Sequence, residues 1–125
     1  MVFDARTGQV SRSAAEVYDT FFVPALFGTW AGPLCTAAGI TEGDSVLDVA
    51  CGTGATTREA LARAGTGGQV TGLDCNDGML GVAAARSSDI VWIAGQAENL
   101  PFPAHAFDRV LCQFGLMFFS DRVEA

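Results

Sequence analysis

Asp48 stands inside the apolar run Val46-Leu47-Asp48-Val49 and is followed by Ala50-Cys51-Gly52-Thr53-Gly54. A carboxylate at the end of a buried strand is costly unless a partner is supplied, so its position implies a guest that can compensate it. Gly52 and Gly54 let the backbone turn tightly and come close to a ligand before a helix opens at about Thr53. Strand, acid, glycine turn and helix N-terminus together read as a nucleoside-cofactor pocket. Rossmann dehydrogenases also use a glycine turn, but a carboxylate beside it would repel their pyrophosphate. It would attract a cationic amino group instead, so the charge favours a sulfonium cofactor with a methionine-type tail over a dinucleotide.

A second acid follows in Val70-Thr71-Gly72-Leu73-Asp74, again at the end of an apolar strand, where it can accept both hydroxyl hydrogens of a ribose. Asn76 or Asp77 serves as the N-cap of the next helix, which leaves Asp74 for ligand work. A third strand, Ile90-Val91-Trp92-Ile93-Ala94, ends in the polar turn Gly95-Gln96-Ala97-Glu98-Asn99. A fourth, from Phe107 to Cys112, loses its alternation near Gln113. These four segments, in this order, resemble the class I methyltransferases that use S-adenosylmethionine, and among them the small-molecule branch related to quinone biosynthesis. Ala50 stands where the commonest form of the first motif has its first glycine, so the turn must tolerate a methyl group.

The resemblance implies a donor site made of Asp48, Ala50, Cys51, Gly52 and Gly54, with Asp74 on the ribose. It places Cys75 and Met79 along the ribose and the adenine face, although Met79 reads equally well as core. Gln96 replaces the family's acid and can still accept from the adenine amino group, beside the backbone N–H of Ala97. Gln113 is implied as a wall of the methyl-transfer site. Glu98 reads as a solvated turn residue, and Phe114, Leu116, Met117, Phe118 and Phe119 read as core.

The elements that must position these residues follow from the pattern. Strands over 45–50, 69–74, 90–94 and 107–113 alternate with helices over 54–64 and 77–86, which predicts an α/β, Rossmann-like, doubly wound and mainly parallel sheet with ligands beyond the strands' carboxyl ends. Ser13-Ala14-Ala15-Glu16 fits a capping box opening a helix at about Ala14, Pro24 should break or kink it, and a further helix should stop at Gly39. Such N-terminal helices either close over the cofactor or merely cover the sheet. Residues 1–10 read as a loose terminus, 1–44 as tail and cap, and 45–125 as a partial donor-binding domain. The family fold has seven strands, so the chain reads as truncated after the fourth. The unpaired edge then invites pairing with a second copy.

Composition bounds the rest. The 125 residues are 50% hydrophobic with a net charge of −7, enough for a single core and without a basic patch for nucleic acid. No apolar run is long enough to span a bilayer and no secretory signal is seen, so the expected location is cytoplasmic. Cys35, Cys51, Cys75 and Cys112 read as reduced, buried thiols, no metal-ligand spacing is present, and His105 reads as exposed loop. Because a sulfonium methyl is already activated, alignment and desolvation suffice for in-line transfer to a small-molecule acceptor, and no residue is assigned as acid or base. The alternatives are a binding or assembly module that transfers nothing and, more distantly, a nicotinamide-dependent dehydrogenase.

Overall fold

The computed structural model describes residues 3–4 and 9–125. Four parallel strands form its centre: β1 (Ser45–Val49), β2 (Gln69–Asp74), β3 (Val91–Ala94) and β4 (Arg109–Leu111), in the spatial order β3-β2-β1-β4. Helix α3 (Ala55–Ala64) crosses from β1 to β2, and α4 (Asp77–Arg86) from β2 to β3. The β2 and α4 limits coincide with the sequence reading; β4 is shorter than expected because pairing ends where Cys112 and Gln113 turn away. β3 and β4 are the sheet's edges, and Val91 and Val110 are exposed along them.

Strand alternation divides the core in two. Val46, Val70 and Leu111 pack with Cys35 and Ile40 and with Ala60 and Ala64 of α3. Leu47, Val49 and Leu73 face the other way, against Ile93, Ala97, Phe102, Phe107 and Phe119. By this alternation Asp48 lies on the α3 side with Val46. Phe102 and Phe107 meet edge to face, with centroids 5.0 Å apart.

In the N-terminal segment, α1 (Arg12–Val17) begins two residues earlier than the capping box implied. Ser11 is the cap, its Oγ accepting from the Ala14 N–H at 3.2 Å, while Glu16 pairs with Arg12 at 3.3 Å. The chain then widens into a π-helix over Tyr18–Phe27 with Pro24 inside it, followed by a 3-10 turn and α2 (Ala31–Ala38). The helix is not broken at Pro24, which has no N–H to give and sits within the widened stretch; the bend, 54°, falls after Leu26 and ahead of Gly28. Gly39, at φ 69°, stops α2 as expected.

Of the stretch expected to be loose, residues 1–2 and 5–8 lie outside the described residues. Gln9–Val10 pairs with Phe3–Asp4, and the Gln9 amide donates to the Cys75 carbonyl at 2.7 Å and accepts from the Asp77 N–H at 3.1 Å. Those contacts correct the reading for Gln9 and Val10. Among the described residues, no single helix is long and apolar enough to cross a membrane.

Candidate functional site

The site is assembled at the carboxyl ends of the strands. Asp48 is 1% exposed and accepts from the Thr57 hydroxyl at 2.7 Å. Burial pushes its carboxyl up to about 7, against the opposing effect of the Thr57 bond, and the nearby Asp74 adds to the rise. No ion pair to Asp48 is found among the described residues, so the charge it can carry is uncompensated within the fold.

The backbone turns sharply after it. Ala50 adopts φ 57°, Gly52 58° and Gly54 87°. The methyl group at Ala50 fits because a glycine faces it: a Cβ added at Gly115 would lie 2.6 Å from the Ala50 Cβ. Gly54 answers a different neighbour, since a Cβ there would lie 2.5 Å from the Trp92 ring, and one added at Gly72 would meet the same ring at 2.5 Å. Cys51 is buried, its thiol donating to the Gly52 carbonyl at 3.7 Å and pushed up by desolvation. Thr53 is 1% exposed, and its hydroxyl has no hydrogen-bond partner among the described residues.

Asp74 is held differently. One of its oxygens accepts from the Gly52 N–H at 2.9 Å and the other from the Asn76 N–H at 2.8 Å, so this acid ties the first turn to the second. Desolvation raises its carboxyl, and those backbone bonds oppose the rise. Asn76 caps α4 by accepting from the Met79 N–H at 3.0 Å, as the sequence implied. Met79 is half-buried and Cys75 is exposed.

Gln113 reaches the first turn of α3, where its Oε1 accepts from the Thr56 hydroxyl at 2.9 Å. A small cavity open on one side, about 30 Å³, is lined by Tyr18, Val23, Asp48, Thr53, Thr56, Gln113 and their neighbours. Asp48, Ala50, Cys51 and Gln113 thus meet there with Thr53. Gln96 and Ala97 do not: Gln96 is exposed, bridged to Asn99, and Ala97 packs on the opposite core.

Several expectations are corrected. Cys75 and Cys112 are exposed rather than buried, leaving only Cys35 and Cys51 as buried thiols. Phe114, Leu116, Met117 and Phe118 are exposed rather than core, because β4 ends at Leu111 and the following chain runs over the surface; Phe119 alone packs inward. Glu98 lies in a turn, as read. Its carboxylate accepts from the Ser120 and Asp121 N–H groups, and its own backbone N–H first, with those bonds after it, lowers its pKa. His105 is exposed, as read.

Tyr18, Thr56 and Thr57 were missed as site residues. The hydroxyls at 56 and 57 had a signal, two threonines in the first turn of the helix that follows the glycine turn. Tyr18 had none beyond its place in an aromatic-rich segment; it lies 3.8 Å from where a Cβ at Gly52 would stand, and its phenol is pushed up to about 12 by burial and by Asp74 and Asp19.

A parallel sheet with acids at the ends of two adjacent strands and a glycine turn between them defines a Rossmann-like small-molecule-binding domain. The chain belongs to the methyltransferase-domain family, whose model matches residues 46–125. It is 40% identical over 94 residues to a demethylmenaquinone methyltransferase of Mycobacterium sp. (strain JLS), across 75% of this chain and 39% of that protein. It is 36% identical over 129 residues to the ubiquinone/menaquinone biosynthesis C-methyltransferase UbiE of Bordetella parapertussis, across 96% of this chain and 50% of that one. The chain thus spans half or less of the length of these relatives. Its fold is similar to that of a SAM-dependent methyltransferase from Aquifex aeolicus, with a TM-score of 0.77 at 20% identity, covering 92% of this chain and 63% of that one.

Proposed function

We propose that this chain carries the donor-binding part of an S-adenosylmethionine-dependent methyltransferase that acts on a small-molecule acceptor, of the quinone-biosynthesis kind that its relatives' names describe. The observation that carries the reading is Asp48, a buried carboxylate with a single hydroxyl partner and no cation, placed beside a glycine turn whose Thr53 hydroxyl is also unpartnered. Both are groups whose satisfaction a ligand would complete. A cationic amino group fits the first. A pyrophosphate would be repelled by it.

In this reading Asp48 holds the donor's amino group and Gly52, Thr53 and Gly54 hold its polar tail with the backbone of Ala50 and Cys51. Asp74 accepts from the ribose hydroxyls, with Cys75 and Met79 alongside, and Gln96 and Ala97 take the adenine edge. When bound, the sulfonium supplies an already activated methyl group. The residues here need only orient it and exclude water, with Gln113, fixed by Thr56, as one wall. Residues 1–44 act as the cap over a donor-binding unit at 45–125, the setting is cytoplasmic, and neither nucleic acid nor membrane is a partner. The exposed β4 edge would pair with a second copy; a monomer at micromolar concentration by light scattering rejects that last point.

The test is calorimetric titration of S-adenosylhomocysteine into the chain, beside Asp48→Asn and Asp74→Ala. The reading expects binding in the wild type that both substitutions abolish. NADH binding that improves in Asp48→Asn would reject it in favour of a dehydrogenase.

A further inference from the structure

We propose that Asp19 is a positioning residue for the donor site, acting through Arg58 on the glycine turn; the proposal rests on the donor-site reading above. Asp19 lies on the π-helical segment, far in sequence from the turn, yet it is only 4% exposed. Its carboxylate pairs with the Arg86 guanidinium at the end of α4 and stands 4.0 Å from the Arg58 Nη2 of α3. Arg58 in turn donates from Nη1 to the Thr53 carbonyl at 2.7 Å. The same Nη1 would stand 3.1 Å from a Cβ at Gly54, so the guanidinium abuts both residues of the turn.

The electrostatics make the chain of contacts directional. Arg58 is half-buried, desolvation and the neighbouring Arg86 both disfavour its charge, and Asp19 is what opposes them. Without that carboxylate two guanidinium groups face each other with no compensating charge, and the more exposed course for Arg58 is to swing toward solvent and release the Thr53 carbonyl. Thr53 also bears the unpartnered buried hydroxyl of the pocket, so its placement bears on ligand binding directly. Tyr18, the preceding residue, lies over Gly52. Two consecutive residues of the cap therefore address both ends of the turn, one by contact and one through Arg58. The widened π-helical turn, a form enriched at functional sites, is the backbone feature that carries them.

The experiment is titration of S-adenosylhomocysteine into the full chain as wild type, Asp19→Asn, Asp19→Glu and Arg58→Lys, with thermal unfolding of each protein recorded without ligand. Asp19→Asn and Arg58→Lys are each expected to weaken binding about tenfold, the effect of losing a hydrogen bond to a charged group, and Asp19→Glu to recover most of it. Arg58→Lys retains a cation beside Asp19 while losing the planar fork, so it decides the matter if Asp19→Asn does not fold. Affinities within about twofold of wild type, with only the unfolding temperature lowered, would show a structural ion pair and overturn the proposal. Tighter binding in Asp19→Asn would overturn it too, because the contact would then bar entry. A folded wild-type chain that does not bind rejects the donor-site reading, and this inference falls with it; binding by wild type with unchanged variants rejects this inference alone.

Discussion

Asp48 and Asp74 end adjacent parallel strands of one sheet, yet the fold treats them in opposite ways. Asp74 is surrounded by backbone donors, and its two oxygens join the first turn to the second. Asp48 is sealed inside with one threonine hydroxyl, and burial holds its carboxyl near neutrality. One acid builds the site; the other is left with a charge for something else to compensate. The difference comes from depth: Asp74 stands where the chain turns and N–H groups are free, whereas Asp48 stops two residues short of its turn and faces the side of α3.

The comparison can be broken most directly at Asp74. Asp74→Ala strips the acceptor from the Gly52 and Asn76 N–H groups, so it is expected to cost about 2–4 kcal/mol in denaturant unfolding as well as ligand binding. Asp48→Asn should instead abolish binding with little loss of stability near neutral pH, because it removes a charge that the empty fold does not want.

Titration sharpens the contrast. The folded chain keeps a proton on Asp48 up to about 7, whereas the unfolded chain loses it near the ordinary 3.8. Stability contributed by this group is therefore lost as pH rises from about 4 to about 7 and is level above, a fall on the order of a few kcal/mol that Asp48→Asn should flatten. Affinity for a cationic ligand should rise over the same interval, and a wild type whose stability and binding are both flat there would contradict the buried-acid picture.

Smaller effects test the turn between the two acids. Gly72→Ala drives a methyl group into the Trp92 ring and should cost about 1–3 kcal/mol, relieved in the double variant with Trp92→Leu. Ala50→Gly removes a left-handed alanine and should raise stability by less than about 1 kcal/mol, since glycine also loosens the unfolded chain. Thermal unfolding resolves both.

The sequence by itself determined the alternation of strands and helices, the helix stop at Gly39 and the helix start at Asn76, and the two acids at strand ends beside a glycine turn, because each is fixed by neighbours within a few residues. Residue pairs distant along the chain were decided only by tertiary structure. Gly115 makes room for Ala50, Trp92 requires Gly54, and Asp19 reaches Arg58. The aromatic run after β4 misled for the same reason: apolar composition says a residue can be buried, but only the placement of Leu111 at the strand's end left Phe114 and Phe118 outside. Depth in the fold, which no local pattern encodes, is also what made one aspartate a structural tie and the other a latent charge.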